Sequence, residues 1–259
     1  MTGALTFGGT DYNTSGAQTF IADSYVMSGA DPDFNTSDAA VSFQDGGITL
    51  ATASNLEINT GSGGGAVTVE GAIAGTSDGS TTTVTIEAGT GSVAIAGMGT
   101  DIGNVTIDGS GGVTLNGSIT TAGGNIDIND AATLGGSVTL TTANGTVDFA
   151  STLDGTSGVT TDFDIASGSG TVIITGDIGG TALTSIDINQ SAGTGAVTLT
   201  GNIGTASAAG AGITRIGNDG MTGALTFGGT DYNTSGAQTF IADSYVMSGA
   251  DPDFNTSDA

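Results

Sequence analysis

Residues 1–39 and residues 221–259 carry one sequence, MTGALTFGGTDYNTSGAQTFIADSYVMSGADPDFNTSDA, which sets a period of 220 residues. Chance does not produce 39 consecutive identities, so the chain reads as one complete repeat (1–220) followed by the start of the next (221–259). Met1 corresponds to the internal Met221, and the chain is expected to be a window cut from a longer tandem array. Copies joined without a gap must continue one another, which favours architectures in which each layer stacks on the layers beside it.

A shorter period runs inside the repeat. The segments Val67-Thr-Val69-Glu-Gly-Ala-Ile73, Val113-Thr-Leu115-Asn-Gly-Ser-Ile119, Val172-Ile-Ile174-Thr-Gly-Asp-Ile178 and Val197-Thr-Leu199-Thr-Gly-Asn-Ile203 place apolar residues first, third and seventh, with Gly fifth. About eight to eleven residues before each lies another alternating segment: Leu56-Glu-Ile58, Val105-Thr-Ile107, Phe163-Asp-Ile165 and Ile186-Asp-Ile188. Alternation puts the apolar side chains on one face of a strand and Thr, Asp or Glu on the other. Rungs starting at Val84, Val105 and Ile126, then at Phe163, Ile186 and Ile213, follow one another at about 21–27 residues. The longer interval from Ile126 to Phe163 holds Val138-Thr-Leu140 and Val147-Asp-Phe149, so an additional or enlarged rung is expected there. No 3.6-residue apolar spacing is sustained, and glycine-rich stretches such as Gly109-Ser-Gly-Gly112 and Gly123-Gly-Asn125 supply corners.

Sides this short bury their apolar faces only by stacking. The expected fold is therefore an all-β parallel β-solenoid, or β-helix, with about 21–27 residues per rung in tandem 220-residue units. Variable rung length favours a right-handed coil over the strict hexapeptide left-handed one. An antiparallel sandwich is the alternative, but it does not require the same inward positions to recur from rung to rung. The predicted core is aliphatic: Val113, Leu115, Ile119, Ile126, Ile128, Val172, Ile174, Ile178, Ile186, Ile188, Val197 and Leu199. The apolar pattern also runs through Ile213, Ile216, Leu225 and Phe227, so successive repeats should share one core.

Charge narrows the function. There are 26 Asp and Glu against Arg215 alone, and no Cys, His or Trp. Thiol nucleophiles, imidazole bases, disulfides and conventional zinc sites are excluded, and no enzyme activity is expected. Phosphate-rich partners need a basic surface, so neither nucleic acid nor an anionic membrane fits, and no apolar run approaches the roughly 18 residues of a membrane span. One repeat holds 21 acids and one Arg. Nine or ten rungs about 4.8 Å apart would carry a charge about every 2 Å, near the density of duplex DNA at about 1.7 Å. Cations, calcium first, are expected to sit among such charges. The candidate ligands are Asp31, Asp33, Asn35 and Asp38 in Asp31-Pro-Asp33-Phe-Asn35-Thr-Ser37-Asp38, which recurs from Asp251 to Asp258. Alternate oxygen ligands suit calcium, although the central Gly and closing Glu of an EF-hand are missing. An Asx-rich turn at a corner is the plainer reading. Asn218-Asp219 with Asp11 forms a weaker cluster. Asp127, Asp164 and Asp187 fall at outward strand positions and read as a solvated face rather than a glycosidase pair. Asn104 and Asn125, one rung apart, are expected to stack as a ladder that satisfies corner backbone groups. Outward Thr68, Thr106, Thr114 and Thr198 form rows too interrupted by Asp and Ala for a flat ice-binding array.

Motifs such as GGVTLNGSITTAGGNIDI (111–128) and GTVIITGDIGGTALTSIDI (170–188) resemble the units of bacterial Gly/Thr-rich β-strand-repeat surface proteins, the filamentous-haemagglutinin-like and autotransporter-like giant adhesins. The resemblance covers most of the chain. It implies a secreted structural filament at the bacterial cell surface, used in adhesion, biofilm cohesion or cell coating. Its partners would be further copies joined end to end, other fibres or cell surfaces. The alternative is the stalk of a ligand-binding adhesin whose binding domain lies outside this window.

Overall fold

The computed structural model describes residues 3–76 and 81–256; Asp258 of the recurring acidic segment lies outside the described residues. Among the described residues the regular structure is β-strand without α-helix, and the named strands pair in parallel. The strands form a β-solenoid of about 11 turns. The chain divides into two compact units, Met1–Asp130 and Ala131–Ala259, a division that does not coincide with the sequence repeat.

In the first unit each turn has three sides, and each side stacks on its counterpart one turn earlier. One ladder runs Gln18, Val41, Val67, Val93, Val113. The second runs Leu5, Tyr25, Ile48, Ile73, Met98, Ile119. The third runs Tyr12, Phe34, Ile58, Ile86, Ile107, Ile128. Period-two alternation explains the pattern: Val67, Val69 and Val113, Leu115 point inward while Thr68 and Thr114 between them face out. The turn at Val93 follows the predicted motif through Val93, Ile95 and Gly97 and departs from it after that. Its inward contact falls on Met98, the sixth position, because Gly97 at φ 142° bends the chain one residue early.

The second unit repeats the arrangement. Its ladders run Val147, Val172, Val197, Leu225, Tyr245; Val138, Phe163, Ile186, Thr214; and Leu153, Ile178, Ile203, Tyr232. Val138 and Val147 head two of these ladders, so the long interval before Phe163 holds a turn of ordinary size. Val197–Leu199 pairs with Ala224–Phe227 in register, which carries a ladder across the repeat boundary at residue 220.

All twelve predicted core residues are buried. Ile213 is the correction. It pairs with Ser185, is 42% exposed, and leaves Thr214 and Ile216 inward. The strand Ala211–Gly217 passes a corner at Gly212 and Ile213, which breaks the alternation after Ala211. With the phase set this way Arg215 faces outward, where its charge stays hydrated.

The core is also less uniform than expected. Phe7, Tyr12, Phe20, Phe34 and Phe43 form an aromatic cluster, with Tyr12 stacked on Phe34 at 4.8 Å and Phe34 edge-on to Phe43 at 5.0 Å. Buried hydroxyls sit at corners of several turns. Thr60 and Thr121 donate to the carbonyls of Gly65 and Gly124 at 2.6 Å, and Thr142 and Ser167 to those of Gly145 and Gly170 at 2.7 Å. Each such bond satisfies a backbone acceptor where the ladder is interrupted.

Candidate functional site

The acidic segment predicted to hold calcium is a strand between two corners. Phe34 and Thr36 of Asp33–Thr36 point inward, so Asp33 and Asn35 line the outer face. Asp31 (φ 52°) and Asp38 (φ 61°) adopt the left-handed conformation at either end, which short carboxylate side chains tolerate better than other L-residues. Five of the seven described non-glycine residues at positive φ are Asp, with Asn189 and Ala53 the others, so part of the acidity serves to make corners.

Asp31 and Asp38 also reach across to the next turn. Asp31 Oδ1 accepts from the Asn55 backbone N–H at 3.0 Å and from Asn55 Nδ2 at 2.8 Å, while Asp38 Oδ1 accepts from the Gly63 N–H at 2.6 Å. Asn55 Oδ1 in turn accepts from Thr83, and Asn104 Oδ1 from the Asn125 N–H at 2.9 Å. The expected asparagine ladder therefore exists and begins at Asp31. The second unit has its own version: Asp177 Oδ1 accepts from the Asn202 N–H, and Asn202 Oδ1 from the N–H groups of Thr230 and Asp231. No sequence motif marks these columns, but an Asx residue placed just before a strand in successive turns is their signal. Asn218 is a corner residue of the same kind, donating to the Asn189 and Gly193 carbonyls.

Asp33 stands in a different row. It pairs with Asp11 on one side and Glu57 on the other, so three carboxylates occupy one outward position in three turns. Burial, then Glu57 and Asp11, raise its carboxyl above the ordinary value. Glu87 pairs with Asp108 in the same unit, and burial with a hydrogen bond to Asp130 raises Asp108. Among the described residues no three His, Cys, Asp or Glu side chains group as a metal site.

In the second unit, Asp164 pairs with Asp187, and Asp187 with Arg215. Arg215 grips Asp187 through Nε and Nη2, an exposed pair that adds little stability. A shallow cavity of about 290 Å³ lies beside them, lined by Thr139, Asp164, Asp187, Gln190 and Ser191. Burial, then Asp187 and Asp162, raise the Asp164 carboxyl, against the Thr139 hydroxyl and Arg215. Asp148 is raised by burial alone, and its Oδ1 meets no hydrogen-bond partner.

These shifts set a pH dependence with a definite sign. A carboxyl raised in the folded state binds its proton more readily there than in the unfolded chain. Its contribution to stability is complete below the ordinary value of 3.8 and is lost as pH rises through the folded value. The protein is expected to melt higher at pH 3.8 than at pH 7 at fixed ionic strength. Asp148→Asn should raise the midpoint at pH 7 and narrow that gap; a midpoint that falls on acidification would refute the assignment.

No family model, curated protein or solved structure matches the chain. The class therefore rests on the fold, which is that of β-helix repeat proteins. No helix among the described residues is long and apolar enough to cross a membrane.

Proposed function

We propose that the chain is a structural, non-enzymatic extracellular protein of the bacterial cell surface, in which tandem β-solenoid repeats stack into a filament for adhesion, biofilm cohesion or cell coating. The observation that carries this reading is the ladder across residue 220: Val197, Thr198 and Leu199 pair with Leu225, Thr226 and Phe227 as they would with any other turn. A following repeat thus extends the existing core. Identical repeats suit a load-bearing element, since each copy adds length, whereas a single catalytic centre gains nothing from them.

An array of several repeats, imaged or examined by fibre diffraction, should advance roughly 45 Å along its axis per repeat, from nine or ten turns at about 4.8 Å. An axial repeat near 100 Å would overturn the reading.

Divalent cations belong to the same proposal. Like charges stacked one strand spacing apart, as in Asp11, Asp33 and Glu57, repel unless cations sit among them. Calcium ions drawn to this face, with the outward Asp33 and Asn35 and the corner residues Asp31 and Asp38 as candidate ligands of separate ions, would both steady the turns and bridge neighbouring fibres. Chelation at fixed ionic strength is expected to lower the melting midpoint and disperse bundles. If neither changes, the acidity serves solubility through diffuse screening.

A further inference from the structure

Asparagine followed directly by glycine occurs twice in the chain, at Asn116–Gly117 and Asn144–Gly145. Both pairs are corners: the first joins Val113–Leu115 to Ile119–Thr120, the second Val138–Thr141 to Val147–Phe149. A glycine on the C-terminal side leaves its own amide nitrogen unshielded by a side chain, so that nitrogen can attack the carboxamide before it.

The fold treats the two pairs differently. Asn144 Oδ1 accepts from the Ser169 backbone N–H at 3.1 Å and from Ser169 Oγ at 2.7 Å, which pins the carboxamide to the following turn. Asn116 is exposed, and its side chain makes no hydrogen bond among the described residues. Within its unit neither the Asn116 carbonyl nor the Gly117 N–H is hydrogen-bonded, so the peptide plane that must rotate for the attack is one the ladder does not hold. The chain on either side of that plane is fixed. The Asn116 N–H donates to the Ile95 carbonyl at 2.9 Å, the Ser118 carbonyl accepts from the Met98 N–H at 2.9 Å, and Ile119 bridges to Met98.

We propose that Asn116–Gly117 is a self-modification site, at which the folded chain deamidates through a succinimide while Ser169 protects Asn144. The Gly117 nitrogen gives up its proton to solvent and bonds to Asn116 Cγ; the Cγ–Nδ2 bond breaks and ammonia leaves. Water then opens the ring. Attack at Cγ returns the ordinary backbone with an aspartate at 116. Attack at the Asn116 backbone carbonyl carbon breaks its bond to the Gly117 nitrogen and leaves isoaspartate, with one extra main-chain atom. Either product adds a carboxylate to a surface with a single basic side chain. The isoaspartate does more, because the Gly117 backbone already lies so close to the turn before it that a Cβ there would overlap the Ala96 carbonyl oxygen. An extra atom at this corner displaces Ile119 from its step on Met98 and loosens the ladder. The site thus ages the turn that carries it. This inference stands apart from the filament reading, since a single isolated chain shows it.

The test incubates the full folded chain in warm, mildly alkaline buffer and digests it before aspartate residues, which yields peptides 108–126 and 130–147 with one Asn-Gly pair each. Read by mass, peptide 108–126 is expected to exchange its amide for a carboxyl on the order of tenfold faster than 130–147, the factor that the Ser169 hydrogen bonds supply. The protease cuts the aspartate product again at 116 and leaves the isoaspartate product whole, so the two are counted separately. Ser169→Ala should speed conversion at Asn144 several-fold and leave Asn116 unchanged. In urea the two wild-type peptides should convert at equal rates. Asn116→Gln should stop conversion at 116 and hold the melting midpoint constant through an incubation that lowers it in the wild type. Equal rates in the folded wild type, an Asn116 that converts only in urea, or a Ser169→Ala chain in which Asn144 is no faster would overturn the proposal.

Discussion

Gly170→Ala is expected to destabilise the protein by about 3 kcal/mol or more, an effect at the upper end for a single methyl group. A Cβ at Gly170 would overlap the carbonyl oxygen of Gly145, one turn earlier, and a Cβ at Gly195 would overlap that of Gly170. The three glycines form a column in which stacked backbones approach too closely for any side chain. Backbone cannot rotate away as a side-chain tip can, so the substitution forces turns apart and weakens the neighbouring pairs Val147 with Val172 and Val172 with Val197. Gly136 provides the control. A Cβ there meets nothing within 4 Å, and its φ lies outside the left-handed region. Gly136→Ala should be neutral or stabilising by up to about 1 kcal/mol, through the lost freedom of the unfolded chain. Equal effects of the two substitutions in denaturant unfolding would show that the glycine column does not limit the stacking.

Phe34→Ala is expected to cost about 3–5 kcal/mol, and Phe254→Ala about 1 kcal/mol or less, although the two phenylalanines have the same neighbours in sequence. Phe34 is enclosed by Phe7, Tyr12, Phe20 and Phe43. Phe254 keeps the counterparts of the first three, Phe227, Tyr232 and Phe240, and lacks the fourth. Truncation at Phe34 leaves a cavity between two turns, whereas at Phe254 the side chain already borders solvent. Urea unfolding of the two variants measures the difference, and similar losses would mean that the second copy is covered in solution.

Much of the fold was legible because its signal is local. Strand alternation has a period of two, so Val172 and Ile174 declare their inward direction within three residues, as do Val197 and Leu199. The turn at Val93 escaped because one early bend moved its contact to Met98. Ile213 was misplaced because Ala211-Gly-Ile-Thr-Arg-Ile can be phased two ways, and the choice depends on the corner at Gly212 and on keeping Arg215 in water. For the acidic segment, composition pointed to oxygen ligands. The roles that Asp31 and Asp38 take up, positive-φ corners whose carboxylates accept N–H groups from the following turn, depend on residues some 24 and 25 positions away.

The amino-acid sequence by itself determined that the chain is β-structure, that its turns recur, which aliphatic side chains face the core, and that the surface is a polyanion. Those properties follow from neighbours along the chain and from summed charge. Only the tertiary structure decided which glycines are irreplaceable, where three carboxylates align, and whether a given phenylalanine is buried. A ladder brings together residues 20 to 29 positions apart, and the steps differ from turn to turn, so no fixed spacing reveals the partner. The 39-residue segment is the clearest case: one sequence, two exposures, separated by which neighbouring turn happens to cover it.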